Sequence, residues 1–132
     1  MSRQNVELVR RMQEAFLSSE PDRALAFFAP EVEWDVRERP GGQVWHGPSG
    51  VRRAMTEWSG AWEEWELVTE RYLEAGEDKV LILWREHGRG KGSGVPVDQR
   101  GGILVTVGDG RILRGCLYLD QQAALKAAGL AE

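Results

Sequence analysis

Between Asp78 and Asp120 the chain reads DKVLILWREHGRGKGSGVPVDQRGGILVTVGDGRILRGCLYLD, and inside it Val80, Leu81, Ile82, Leu83 and Trp84 form an uninterrupted apolar run. Successive side chains on a strand point to opposite faces, so such a run needs cover on both. A sheet with one wetted face is thereby excluded. The expectation is that the chain's own helices cover one face and a second copy of the chain the other. Polar residues return at Arg85 and His87, which share one face of the same strand. Gly108-Asp109-Gly110 separates Val95–Val107 from Arg111–Asp120 and is a tight-turn signal, so the segment reads as three consecutive antiparallel strands. The stretch Gly88-Arg-Gly-Lys-Gly-Ser-Gly94 is too rich in glycine for regular pairing and is expected to be a mobile connection. It lacks the spacing of a phosphate-binding loop, and no helix follows it.

Upstream, the spacing changes from two to between three and four. Ser2 is placed to cap a first helix, in which Val6, Val9, Met12 and Phe16 form one apolar stripe. Glu20-Pro21-Asp22 starts a second, short helix that runs to about Ala29 and is stopped by Pro30. Val32 to Val36 is a strand with Trp34 and Val36 on one face and Glu33 and Asp35 on the other. Arg37 to Gln43 is loop by composition. Gly47-Pro48-Ser49-Gly50 opens a third helix whose stripe is Val51, Met55, Trp58 and Trp62. Trp65 to Glu74 is a strand, turning at Gly76-Glu77-Asp78, and Gln121 to Ala128 is a closing helix that ends at Gly129.

At 132 residues, with 42% hydrophobic and 29% charged residues, the chain suits one globular domain over residues 1–132, of α+β class. A net charge of −4 and the absence of a basic cluster argue against nucleic acid. No window holds the ~18 consecutive apolar residues of a membrane span. The single cysteine, Cys116, and the charged, amphipathic start MSRQNVELVRRMQ fit a reducing cytoplasm. Two widely separated histidines and one cysteine form no metal-ligand pattern, and neither a metal nor a cofactor is expected. Six tryptophans are many for this length. An indole N–H needs a partner when buried, so they point to a partly polar cavity or an interface.

Several stretches carry a resemblance: Phe27-Phe28-Ala29-Pro30-Glu31-Val32-Glu33-Trp34, His46-Gly47-Pro48-Ser49-Gly50-Val51, the Arg89–Gly94 loop, and Tyr118-Leu119-Asp120 leading into Ala123–Leu130. Together they span nearly the whole chain, which resembles the SnoaL-like branch of the nuclear transport factor 2-like (NTF2-like) superfamily. The resemblance implies a cone in which N-terminal helices pack on a strongly curved antiparallel sheet. It also implies a cavity on the concave side and often a homodimer through the convex side. Superfamily members include ketosteroid isomerases, limonene-epoxide hydrolases and polyketide cyclases, which place carboxylates in that cavity to move protons. By the same resemblance the isomerase base falls on Val36, which accepts no proton. The Arg/Asp pair of the epoxide hydrolases falls on Arg85 and His87, and their other aspartate on Leu117.

Arg85 and His87 are accordingly expected to point into the cavity as its polar end. Trp34, Val36, His46, Trp58, Trp62 and Leu117 would complete a ligand-binding wall. Val80, Ile82, Trp84, Cys116 and Tyr118 would face a second copy across the convex side. The expected function is binding of a small hydrophobic molecule. One alternative is a proton-transfer enzyme of isomerase, cyclase or dehydratase type, with His87 or Asp35 as base and Arg85 stabilising an oxyanion. The other is a dimeric interaction module with a filled cavity.

Overall fold

A computed structural model describes residues 2–130. The elements are α1 (Ser2–Leu17), α2 (Pro21–Leu25), β1 (Phe28–Asp35), β2 (Val44–His46), α3 (Gly47–Gly60), β3 (Trp62–Glu74), β4 (Lys79–Gly90), β5 (Pro96–Gly108), β6 (Arg111–Tyr118) and α4 (Gln121–Ala127). The expected Ser2 cap lies outside the described side chains. Among the described residues no helix is long and apolar enough to cross a membrane.

The strands form one six-stranded sheet in the order β2-β1-β6-β5-β4-β3. Strands β3 to β6 are a plain antiparallel meander. β1, however, runs parallel to β6, with Trp34 opposite Gly115 and Asp35 opposite Cys116, so the expected all-antiparallel sheet is in fact mixed. The cause is topological. The chain leaves β1 through β2 and α3, enters the meander at its far edge, and returns beside β1 with its direction already set by three hairpin reversals. Pro30, with no N–H to donate, sits where the β1–β6 register shifts between Phe28 and Glu33. Helix α2 stops at Leu25, short of the expected Ala29, and β1 takes over the apolar Phe28 and Ala29.

The inner face of the sheet meets α1 and α3. Val9 and Met12 from α1 and Val51 and Met55 from α3 pack on Trp34, Ile82, Trp84, Val105 and Leu117. The outer face holds a second cluster, Leu81, Leu83 and Leu104, and its cover is the chain's own α4 through Ala124, Leu125 and Ala128. This corrects the expected use of the apolar run. Val80, Ile82 and Trp84 are buried at 0%, 1% and 4% exposure under α1 and α3, so they form no convex-side interface with a second copy. Of the five residues assigned to that interface only Cys116 and Tyr118 lie on the outer face, each half-buried. Contact with the Cys116 thiol, with burial added, holds the Tyr118 phenol up at about 12.

The glycine-rich stretch also differs from expectation. β4 stays paired as far as Gly90, and only residues 91–95 form the turn, closed by Gly94 N–H to the Gly90 carbonyl at 3.0 Å. Gly88 serves close approach here: a Cβ at that position would come within 2.9 Å of Trp62 Cε3.

Candidate ligand-binding site

Alternation along β4 sets the site. Ile82, Trp84 and Glu86 point inward, and Glu86 is only 2% exposed. A carboxylate buried to this degree needs donors, and three elements supply them. Trp58 Nε1 from α3 donates to Glu86 Oε2 at 2.6 Å, and Trp65 Nε1 from β3 donates to the same oxygen at 2.8 Å. Gln99, directly opposite Glu86 in the β4–β5 register, donates its Nε2 to Oε1 at 2.6 Å. Both lone-pair positions of Oε2 are thus occupied, while Oε1 keeps one free.

The indoles are seated by glycines on neighbouring strands. Trp84 lies over Gly101, where a Cβ would come within 2.6 Å of its Cζ2, and Trp34 lies against Gly115. Without those glycines neither ring could lie flat on the sheet. Trp58 and Trp62 meet edge to face at 5.4 Å between ring centroids, a favoured aromatic geometry. Trp62 starts β3 and does not extend the α3 stripe, because α3 ends at Gly60. Its Nε1 is buried without a hydrogen-bond partner.

Arg39 closes the space between these rings. Its loop is shaped by Arg39 N–H to the Val36 carbonyl at 3.1 Å, Gly42 N–H to the Arg39 carbonyl at 2.8 Å and Val36 N–H to the Gln43 carbonyl at 3.1 Å. Gly41 supplies the left-handed φ of 71°. Glu38 Oε1 accepts the Leu119 N–H at 2.9 Å and ties the loop to the end of β6. The guanidinium carbon then sits 4.3 Å from the Trp58 ring centroid. Burial pulls Arg39 down from the ordinary arginine range to about 10, with the Glu86 charge acting in the opposite direction.

Two spaces result. The inner one, about 40 Å³, lies among Met12, Phe16, Trp34, Trp84, Glu86 and Arg39. It has room for water but not for an organic ligand, which calls for ~300 Å³ or more. The outer one, about 340 Å³, is walled by Trp58, Trp62, Val97, Leu119 and Pro40, with Arg39 and Gln99 as its polar groups. Arg39 and Trp58 border both.

Of the sequence-predicted wall, Trp34 lies in the inner space and Trp58 and Trp62 in the outer one. Val36 borders the adjoining groove beside Arg39, and Leu117 is buried in the inner-face core. His46 is exposed at the end of β2 and takes no part. Asp35, Arg85 and His87 lie on the opposite side of the sheet and do not reach the cavity. Asp35 holds Arg37 through two side-chain bonds of 3.0 and 2.8 Å, which keep its carboxyl below the ordinary 3.8. Arg85 is clamped by Asp98 at 3.2 and 2.9 Å, and that carboxylate raises it further. His87 Nε2 lies 2.6 Å from Glu66 Oε1. The grouping of Arg85 with His87 and of Trp84 with Ile82 holds; the side on which each group falls is reversed. Both faces of the run are apolar, so its pattern does not distinguish the side under α1 and α3 from the side under α4.

Glu86, Arg39, Trp65 and Gln99 are the polar and aromatic members that sequence reading missed. A signal for Glu86 was present: it is the one acid in phase with Ile82 and Trp84. For Arg39 there was none, because a loop arginine carries no phase. Among the described residues no three His, Cys, Asp or Glu side chains converge as a metal site.

A model of the SnoaL-like domain matches residues 9–115. No curated protein matches the sequence. Among solved structures, an NTF2-like protein from Burkholderia xenovorans LB400 superposes with a TM-score of 0.77 at 20% identity, over 97% of this chain and 98% of that one. TerC co-crystallized with polyporic acid gives 0.74 at 18%, over 96% and 98%. A protein with a ketosteroid isomerase-like fold from Catenulispora acidiphila DSM 44928, in complex with trimethylamine, gives 0.73 at 19%, over 94% and 93%. At these identities the similarity is one of fold.

Proposed function

The chain belongs to the SnoaL-like domain family, and from that premise we propose that it binds a small, mainly apolar organic molecule in the outer space between Trp58, Trp62, Val97 and Leu119. The observation that carries this reading is the outer space itself, an apolar cleft of about 340 Å³ whose polar groups are Arg39 and Gln99, with Trp58 and Gln99 held in place from behind by the buried Glu86. Few convergent polar groups on apolar walls are what a ligand site requires. Support also comes from two proteins of the same fold that hold small organic molecules, polyporic acid in one and trimethylamine in the other. Titration of hydrophobic metabolites against tryptophan fluorescence tests the reading, since Trp58 and Trp62 wall the cleft. Saturable quenching that Trp62→Leu reduces is expected. A flat response across the screen would remove it.

A proton-transfer reaction is the second reading: Glu86 Oε1 keeps a free lone pair in the water-sized inner space, and Arg39 borders both spaces, so a proton would pass between Glu86 and a substrate in the outer space by way of a water. It moves the base from His87 and Asp35 to Glu86 and the oxyanion partner from Arg85 to Arg39. Glu86→Gln separates the two: loss of turnover with binding retained marks an enzyme, and binding with no turnover of any carbonyl or hydroxyl compound marks a carrier. A second copy is proposed at the outer face, now through Cys116, Tyr118 and the exposed Val68. Equilibrium sedimentation reads it, and a monomer at micromolar concentration counts against it.

A further inference from the structure

We infer that the molecule taken by this cleft is a planar aromatic anion, a carboxylate whose two oxygens dock on the guanidinium of Arg39 while its ring lies against Trp58 and Trp62. The inference rests on the ligand-site reading above and deepens it. The exposed arginines Arg37, Arg85 and Arg114 each reach a carboxylate oxygen within 4 Å, whereas the more buried Arg39 forms no hydrogen bond or ion pair among the described residues. Its five donors are therefore without a protein partner. A half-buried cation in this condition faces a cleft of ligand size, where an anion can meet those donors.

Glu86 does not fill the role of partner. Its oxygens are engaged by Trp58, Trp65 and Gln99, and it forms neither a hydrogen bond nor an ion pair with Arg39 among the described residues. Arg39 is the single charged residue bordering the outer space, so an anion there meets no carboxylate on the lining. Glu57 borders only the adjoining groove. The guanidinium carbon sits 4.3 Å from the Trp58 centroid and its N–H groups have no protein partner, and the guanidinium is a planar fork that matches the two oxygens of a carboxylate. The walls favour an aromatic body, because the Trp58 and Trp62 rings offer edge and face at 5.4 Å. A cationic ligand in the cleft would face the positive charge of Arg39, which already lies over Trp58.

Three shape-matched probes test this at pH 7 by calorimetry and tryptophan fluorescence: 2-naphthoate, 2-naphthamide and 2-naphthylmethylammonium. The expected order puts naphthoate about tenfold or more ahead of the amide, as a charge-assisted paired hydrogen bond would give. Arg39→Met should reduce that preference to within about twofold while the amide still binds, and Arg39→Lys, which keeps the charge but not the fork, should fall between. Arg39→Met should leave the thermal midpoint unchanged or higher, because it removes a half-buried cation that has no hydrogen bond; this confirms that lost binding is not lost folding. Equal or tighter binding of the amide or the ammonium probe to the unaltered protein overturns the anion assignment and leaves the ligand cleft standing. No response to any of the three overturns both.

Discussion

Glu86 shows how a single buried acid can organise a site. Its three donors come from α3, β3 and β5, so its removal leaves polar groups on three elements without an acceptor. Leaving such groups unsatisfied costs about 1–3 kcal/mol in total, because Trp58 and Gln99 are half-exposed and recover part of the loss from water. Glu86→Ala should therefore lower the midpoint by roughly 5 °C or more in a calorimetric scan. Asp35 makes a separate, pH-dependent contribution on the outer face. Arg37 holds its folded value below 3.8, so the stabilisation is present above that pH and is lost as pH falls through the folded value. Asp35→Asn is expected to cost about 1–2 kcal/mol at pH 7, a cost that disappears as pH falls through the folded value, so the two stability curves should converge on acidification. Parallel curves would mean that the pair with Arg37 contributes nothing.

At the scale of elements, what matters is how indoles sit on strands. Trp84 and Trp34 fit because β5 and β6 present Gly101 and Gly115 opposite them. Gly101→Ala should displace the Trp84 ring, cost about 1–3 kcal/mol as overpacking does, and shift the tryptophan emission to the red. Gly60, at the end of α3, has nothing within 4 Å of a Cβ and no left-handed φ. Gly60→Ala should be neutral or stabilising by up to about 1 kcal/mol, which makes it a matched control for the loss of a glycine. Strands β3 to β6 and helices α1, α3 and α4 were legible from local signals, because the apolar run Val80–Trp84, the turn Gly108-Asp109-Gly110 and the stripe Val51, Met55, Trp58 are properties of neighbouring residues. The Gly88–Gly90 pairing was not legible. Glycine there makes room for Trp62 from another strand, and composition cannot distinguish room from mobility.

For the molecule as a whole, the outer cover is decisive. Helix α4 places Ala124, which is 0% exposed, against Leu81 and Leu104 and close to Gly102. An acid at that position would be buried without a partner. Ala124→Asp is expected to cost several kcal/mol and to raise binding of a hydrophobic dye, whereas the same change at the exposed Ala26 should do neither. If Ala124→Asp proved harmless, α4 would not be the lid of the second core.

The sequence by itself determined where helices and strands would lie, that Trp34 and Val36 would share a face away from Asp35, and that both faces of Val80–Trp84 would be covered. These follow from spacing of two or of three to four along the chain, which is local; the curved sheet under the helices was what the family resemblance implied. Only the tertiary structure decided that Trp84 and Glu86 face the cavity while Arg85 and His87 face away, and that a loop arginine stacks on Trp58 at its mouth. Which side is inward depends on α1 and α3 lying across one face and α4 returning to the other, contacts between residues far apart in sequence, and an unbroken apolar strand carries no mark of either.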